Sequence, residues 1–188
     1  ELGIDLSGDN AVLGRVVDRV KDLESSGWTF EAADASFELL LRDEMAGERR
    51  RHFRVESWRT IVEQREDGTV VSEATVKVHA GGERIVATGE GNGPVNALDN
   101  ALRTGLTTAF PELAHLELID YKVRILDGGS GTDAVTRVLV GTTDGVHDWT
   151  TVGVHENVIA ASWLALEDAV AYGLLKAGRA AETNAPTD

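Results

Sequence analysis

The stretch Gly89-Glu90-Gly91-Asn92-Gly93-Pro94-Val95-Asn96-Ala97-Leu98-Asp99-Asn100-Ala101-Leu102 is a glycine-rich turn that runs straight into an amphipathic helix. Its three alternating glycines allow backbone angles that other residues resist. Pro94 suits the first helical position, where a missing N–H loses nothing, and Asn92 or Gly93 can cap. Val95, Leu98, Leu102 and Leu106 step by three or four along one apolar face, and Pro111 stops the helix. A helix start of this kind presents backbone N–H groups and a partial positive charge, which suit a phosphate or a carboxylate. The same letters also read as a plain strand-to-helix turn. The local sequence alone favours that plainer reading, because a lone GxGxG is a weak motif.

Immediately upstream the pattern has period two. Phe53 to about Gln64 reads as a strand, Glu66-Asp67-Gly68 as a hairpin turn, and Ala74, Val76 and Val78 as the inward face of a second strand. Gly81-Gly82 turns again, and Ile85 to Thr88 forms a short third strand. The unit is β-β-β-α, and downstream it recurs. Residues 115–127 form a long strand whose alternation changes phase, which calls for a bulge or bend near Ile119-Asp120. A loop at 127–131, a strand from Ala134 to Val140, a turn at Thr143-Asp144-Gly145 and a strand from Trp149 to Val154 follow. The closing helix starts near Val158, with Ile159, Trp163, Leu166, Val170 and Leu174 as its face.

The repeat is visible in the letters. Ala97-Leu98-Asp99-Asn100-Ala101-Leu102 matches Ala165-Leu166-Glu167-Asp168-Ala169-Val170, and Gly105-Leu106 matches Gly173-Leu174 in the same register. Counted from Gly89 and Gly153, the second copy carries four extra residues, about one helical turn. Residues 51–177 therefore read as two β-β-β-α halves related by pseudo-twofold symmetry. A three-stranded sheet with one helix has one face covered; the other needs the second half or a partner chain. Trp58 and Trp149 are apolar area available for such a contact, whereas Trp163 fits the internal core.

The N-terminal part is helical. A polar lead over 1–10 precedes a helix from about Ala11 to Ser25, with Leu13, Val16, Val20 and Leu23 as its stripe and Gly27 at its end. A second helix, about Ala32 to Met45, turns Ala33, Phe37, Leu40 and Leu41 inward, giving a helical hairpin. The charge cluster Glu48 to Arg51 marks a solvated hinge. The expected organisation is α+β: a helical connecting subdomain over 1–50, the paired β-β-β-α domain over 51–177, and a frayed tail over 178–188.

Composition narrows the function. A hydrophobic content of 42% supports a folded core, and a net charge of −14 argues against nucleic acid or an anionic membrane surface as partner. No cysteine is present, so disulfides and thiolate metal sites are excluded and a reducing cytoplasm is compatible. No apolar run in the sequence approaches membrane-spanning length, and opening on Glu1 rather than Met suggests a fragment of something longer. The five histidines form neither HxH nor HExxH, no GxSxG elbow exists, and the glycine turn lacks the Lys-Ser/Thr of a P-loop. His155-Glu156 could form an acid–base pair, but neighbours on a strand point to opposite faces. These residues favour a binding or interaction module over an enzyme.

Longer matches carry a family resemblance. Glu90 to Leu98, Leu118 to Leu126, Gly131-Thr132, Trp149 to Val154 and Ala161-Ser162-Trp163 occur in an order that resembles the C-terminal regulatory region of the α-isopropylmalate synthase and citramalate synthase family. Phe30 to Leu40 resembles the connecting subdomain of citramalate synthases in particular. The resemblance implies a parent that condenses acetyl-CoA with a 2-oxo acid in a metal-dependent barrel. Divalent metal and acetyl-CoA would belong to that absent barrel, so no cofactor and no turnover are expected here. It also implies a cytoplasmic homodimer that binds a branched-chain amino acid for feedback inhibition, isoleucine favoured and leucine possible. A free amino acid has a carboxylate that suits the helix start at Gly91, Asn92 and Gly93. Its ammonium needs carbonyl oxygens or an acid, for which Asp120 and Glu156 are candidates. By resemblance, Val95, Leu118, Tyr121, Ile125 and Val154 would wall the apolar pocket, with Thr132 and Ala134 at its rim. The alternative is a dimerisation module without an effector.

Overall fold

The computed structural model describes residues 10–49, 51–126 and 134–181. The fold is α+β, with the elements in the order α1 (Asn10–Ser25), α2 (Asp34–Ala46), β1 (Arg54–Gln64), β2 (Val70–Ala80), β3 (Glu83–Gly91), α3 (Pro94–Leu106), a 3-10 turn (Pro111–His115), β4 (Glu117–Ile125), β5 (Thr136–Thr143), β6 (Asp148–His155) and α4 (Val158–Lys176). The strands form two antiparallel sheets, β1-β2-β3 and β4-β5-β6. The chain divides into two compact units: one holds the described parts of 1–50 and 117–172, the other those of 51–116 and 173–188.

In the unit built on β1–β3, both hairpins follow from their turn residues. Gly68 has φ +86° and Asp67 Oδ1 accepts the Thr69 amide at 2.9 Å, while Gly81 and Gly82 (φ +58° and +77°) make a two-residue turn. Ala74, Val76 and Val78 on β2 pack under Leu98, Leu102 and Leu106 of α3, all buried. Along the other face, Arg59, Ile61, Glu73, Thr75, Thr88 and Glu90 line a cleft of about 500 Å³. The third strand is longer than its letters suggest. It runs through Gly91, so the turn into α3 is confined to Asn92 and Gly93.

The glycines of this stretch are required for a different reason from the one the sequence suggests. None of Gly89, Gly91 and Gly93 has a positive φ. A Cβ on Gly89 would lie 2.4 Å from the Ala101 amide nitrogen, and one on Gly91 2.6 Å from that of Ala97. These two positions are glycine because the strand lies against the helix backbone. Gly93 is extended (φ −167°, ψ 168°) and a Cβ there meets nothing within 4 Å.

In the unit built on β4–β6, the register of β4 against β5 shifts between Leu118 and Asp120, where the alternation changes phase. Helix α4 covers one face: Thr151 Oγ1 donates to the Ala165 carbonyl at 2.7 Å. The opposite face is not left to a second half. Trp28, Phe30 and Ala33, from the connection between α1 and α2, pack there with Val135, Leu139, Val152 and Val154. Trp149 is 3% exposed and tilts against the Tyr172 ring at 5.6 Å, so it belongs to the core rather than to a contact surface.

The helix pair also differs in detail from its sequence reading. The stripe of α1 is Val12, Val16 and Val20 against Leu40 and Leu41, whereas Leu13 is 43% exposed. The α1 end is a Schellman turn, with Gly27 at φ +97° and the Trp28 amide bonded to the Leu23 carbonyl. The buried residues of α2 are Ala35, Ser36, Glu38 and Leu41, two of them polar. One reading of the sequence needs amending. Helix α4, 19 residues of mean hydropathy 1.5, is long and apolar enough to cross a membrane by those criteria. More than half of it is buried inside the protein, as in a core helix.

Candidate functional site

The two helix starts hold the clearest chemistry, and they differ. At α4, Asn157 Oδ1 accepts the amides of Ile159 (2.9 Å) and Ala160 (3.1 Å), and the Asn157 amide donates to His155 Nδ1 at 2.8 Å. The N-terminal donors of α4 are thereby engaged by a side chain. At α3 the cap residue is Gly93, which makes no side-chain cap bond, and Pro94 follows it. Asn96 Oδ1 reaches back to the Asn92 amide at 3.3 Å and Asn100 Nδ2 donates to the Glu90 carbonyl at 2.8 Å, so both asparagines shape the turn. The start of α3 therefore keeps its dipole and amides without a capping oxygen. Gly91 closes β3, Asn92 and Gly93 make the turn, and Val95, half-buried, lies in the first turn of α3.

The remaining site residues lie in the other unit. Tyr121 and Ile125 on β4 are paired to Val140 and Thr136 of β5, on the face that α4 occupies. Leu118 shares that face, opposite Thr142. The helix does not cover this edge: Tyr121 is 43% exposed and Ile125 62%. Tyr121 is nonetheless held. Ser162 Oγ donates to the Val158 carbonyl at 2.7 Å, so the tyrosine hydroxyl, 2.8 Å away, donates to Ser162. Val154 is on the opposite face of the same sheet, inside the Trp28-Phe30-Ala33 cluster, and is core rather than a neighbour of Tyr121. Ala134 is buried just before β5, and Thr132 lies outside the described residues.

Of the candidate ammonium partners, Asp120 is exposed and ion-paired with Lys122, whose hydrogen bond holds its carboxyl below the usual range. Glu156 is exposed beside His155. With Nδ1 accepting the Asn157 amide, His155 is part of the α4 start rather than half of an acid–base pair.

A family model described as the LeuA allosteric (dimerisation) domain matches residues 31–174. The chain belongs to that family. Similar curated proteins include the (R)-citramalate synthases of Streptomyces coelicolor (65% identical, covering 95% of this chain), Aquifex aeolicus (44%, covering 94%) and Synechocystis (47%, covering 92%). The chain spans about a third of the length of these relatives: 33%, 33% and 32% in that order.

The LeuA domain also contains a polar network that the sequence reading did not single out. Ser36 and Glu38 on α2 are buried; Ser36 bonds Asp168 and the Val152 amide, and Glu38 accepts the Tyr172 hydroxyl at 2.8 Å. A buried Ser and Glu two apart on an otherwise apolar helix face were the available signal, because such groups need partners.

Proposed function

We propose that this chain is the regulatory region of a citramalate synthase-like condensing enzyme, in which it forms a homodimer and binds a branched-chain amino acid for feedback inhibition. Isoleucine is favoured, since citramalate synthases recur among the similar proteins and the Phe30 to Leu40 run resembles their connecting subdomain.

The observation that carries the effector reading is the difference between the two helix starts. The α4 start has its own oxygen cap in Asn157; the α3 start has Gly93 and none. A free carboxylate supplies the missing acceptor and meets the helix dipole with the right sign. This reading assigns the carboxylate end to Gly91, Asn92, Gly93 and Val95 of one unit. In the other unit the family resemblance assigns apolar surface to Leu118, Tyr121 and Ile125 and the rim to Thr132 and Ala134, and Asp120 or Glu156 is the candidate ammonium partner. Val154 enters this reading through the family resemblance alone, and its side chain packs in the Trp28-Phe30-Ala33 cluster.

Isothermal titration of the chain with isoleucine and with leucine, beside Tyr121→Ala, tests the reading. Saturable heat with one ligand, lost in the variant, supports an effector site and names the effector. No heat with either ligand, from a protein shown to be folded and dimeric, leaves the structural dimerisation module. The exposed apolar row Tyr121, Val123 and Ile125 favours that second reading independently of any ligand.

A further inference from the structure

We propose that α2 is held on the outer edge of β6 by a proton-linked latch, in which Ser36 joins the Val152 amide to the Asp168 carboxyl, and that docking of α2 tightens when Asp168 takes up a proton. In the order β4-β5-β6 the last strand is an edge, and alternate amides of an edge strand point away from the sheet. Two of these outward amides are taken by α2. Thr150 N–H donates to Asp34 Oδ1 at 3.2 Å and Val152 N–H donates to Ser36 Oγ at 3.1 Å. Ser36 Oγ in turn donates to Asp168 Oδ2 of α4 at 2.8 Å. One hydroxyl thus ties a helix, a strand edge and a second helix together.

Asp168 faces charge from each element around it. Asp43 on α2 and Glu167 on α4 disfavour its ionised form; Arg49, beyond α2 and 3.7 Å away, favours it, as does the Ser36 hydroxyl. Glu38 on α2 is engaged by Arg42 (2.7 Å) and by Tyr172 of α4. β6 acts on Asp168 through the Val152 amide that Ser36 accepts. Burial outweighs the favourable partners and pushes the Asp168 carboxyl up to about 6. Docked α2 provides part of that burial together with Ser36 and Asp43. Undocking would return the carboxylate to water and to its ordinary range, so docking takes up a proton by linkage.

The sign is the opposite of ordinary acid weakening. The contribution to docking is fully present below the ordinary carboxylate pKa and is lost as pH rises through about 6. From these two values the docking equilibrium should weaken about tenfold between pH 5 and pH 8.

Amide hydrogen exchange of the chain, corrected for the intrinsic pH dependence of exchange, reads this directly. Protection of Thr150 and Val152 should fall about tenfold from pH 5 to pH 8. Thr151 and Gly153, which point into the sheet, should not follow. In Asp168→Asn, a neutral isostere, protection of Val152 should be flat with pH and at least as high as in the wild type at pH 8. Protection that is flat or rises with pH in the wild type, or Val152 loosened in the variant, overturns the proposal. If the variant does not fold, NMR titration of the wild-type Asp168 carboxyl decides: a midpoint near 6 supports the latch, and one near 4 overturns it.

Discussion

Gly89 and Gly153 make the same contact with the helix of their own repeat. A Cβ on Gly89 would meet the carbonyl of Ala97, eight residues on, and the amide of Ala101, twelve residues on; one on Gly153 would meet the Ala161 carbonyl and the Ala165 amide, at the same two intervals. The two repeats are thus equivalent at an interval of 64 residues, from 89 to 153, whereas the matching letters at 97 and 165 lie 68 apart. The helices also start equally far beyond their glycines, at Pro94 and Val158. The letter match is displaced along the helix by four residues, about one turn, which keeps the apolar face in phase.

The glycines therefore divide sharply. Gly89→Ala and Gly153→Ala push a methyl into helix backbone at 2.4 Å and 2.0 Å, and each should lower unfolding stability by about 1–3 kcal/mol or more, with Gly153→Ala the worse. Gly93→Ala meets nothing and keeps an ordinary extended φ, so it should be neutral or stabilising by about 0.4–1 kcal/mol. Urea denaturation checks all three. If the α3 start takes a carboxylate, Gly93→Ala should weaken isoleucine binding in the titration without lowering stability.

Asn157→Ala removes the only side-chain acceptor shown for the Ile159 and Ala160 amides among the described residues. Thermal or chemical unfolding should show a loss of about 1 kcal/mol, and Asn157→Asp should recover it.

Ser36→Ala leaves the buried Val152 amide without its Ser36 acceptor and takes one donor from the Asp168 carboxyl, which keeps Arg49. The expected loss is about 1–3 kcal/mol in denaturant unfolding, larger than for an exposed serine. Tyr172→Phe withdraws one donor from Glu38, which keeps Arg42, and should lose about 1 kcal/mol.

The raised Asp168 carboxyl also predicts a pH profile for global stability. Its contribution is present below the ordinary aspartate pKa and declines as pH rises through about 6. Asp168→Asn should gain on the wild type across that window and hold a constant advantage above it, by up to roughly 2–3 kcal/mol before the loss of the Arg49 pair. Unfolding series at pH 4 to 8 for both proteins would show it; parallel curves would contradict it.

Much of the architecture is legible in the letters because alternation and turn chemistry are local. The hairpin at Asp67-Gly68, the phase change at Ile119-Asp120 and the starts of α3 and α4 all depend on residues within a few positions of one another. What the letters hide is set at long range. Leu13 and Val12 are equally apolar, and it is packing against Leu40 and Leu41 of α2 that turns the Val12 stripe inward. Ser36 and Glu38 are buried because Asp168 and Tyr172, about 130 residues away, supply their partners. The glycine stretch misleads in the same manner, since close approach to α3 selects Gly89 and Gly91 where a turn conformation was expected. For the candidate site, the α3 start was readable from its motif. The core position of Val154 required the Trp28 to Ala33 connection to be seen folded over the sheet.

The side chains of Asp34 and Ser36 occupy two outward amides of β6 and so close that edge of the β4–β6 sheet to backbone pairing by another strand. Another chain that extended this sheet through its backbone would have to join at β4. Two copies joined there would each offer the same strand, produce a six-stranded continuous sheet about a twofold axis, and finish with both outer rims sealed by their own α2. Such growth would end at a pair. Replacing Asp34 and Ser36 would free the β6 amides, and the sheet would then offer a second edge to which a further strand could add.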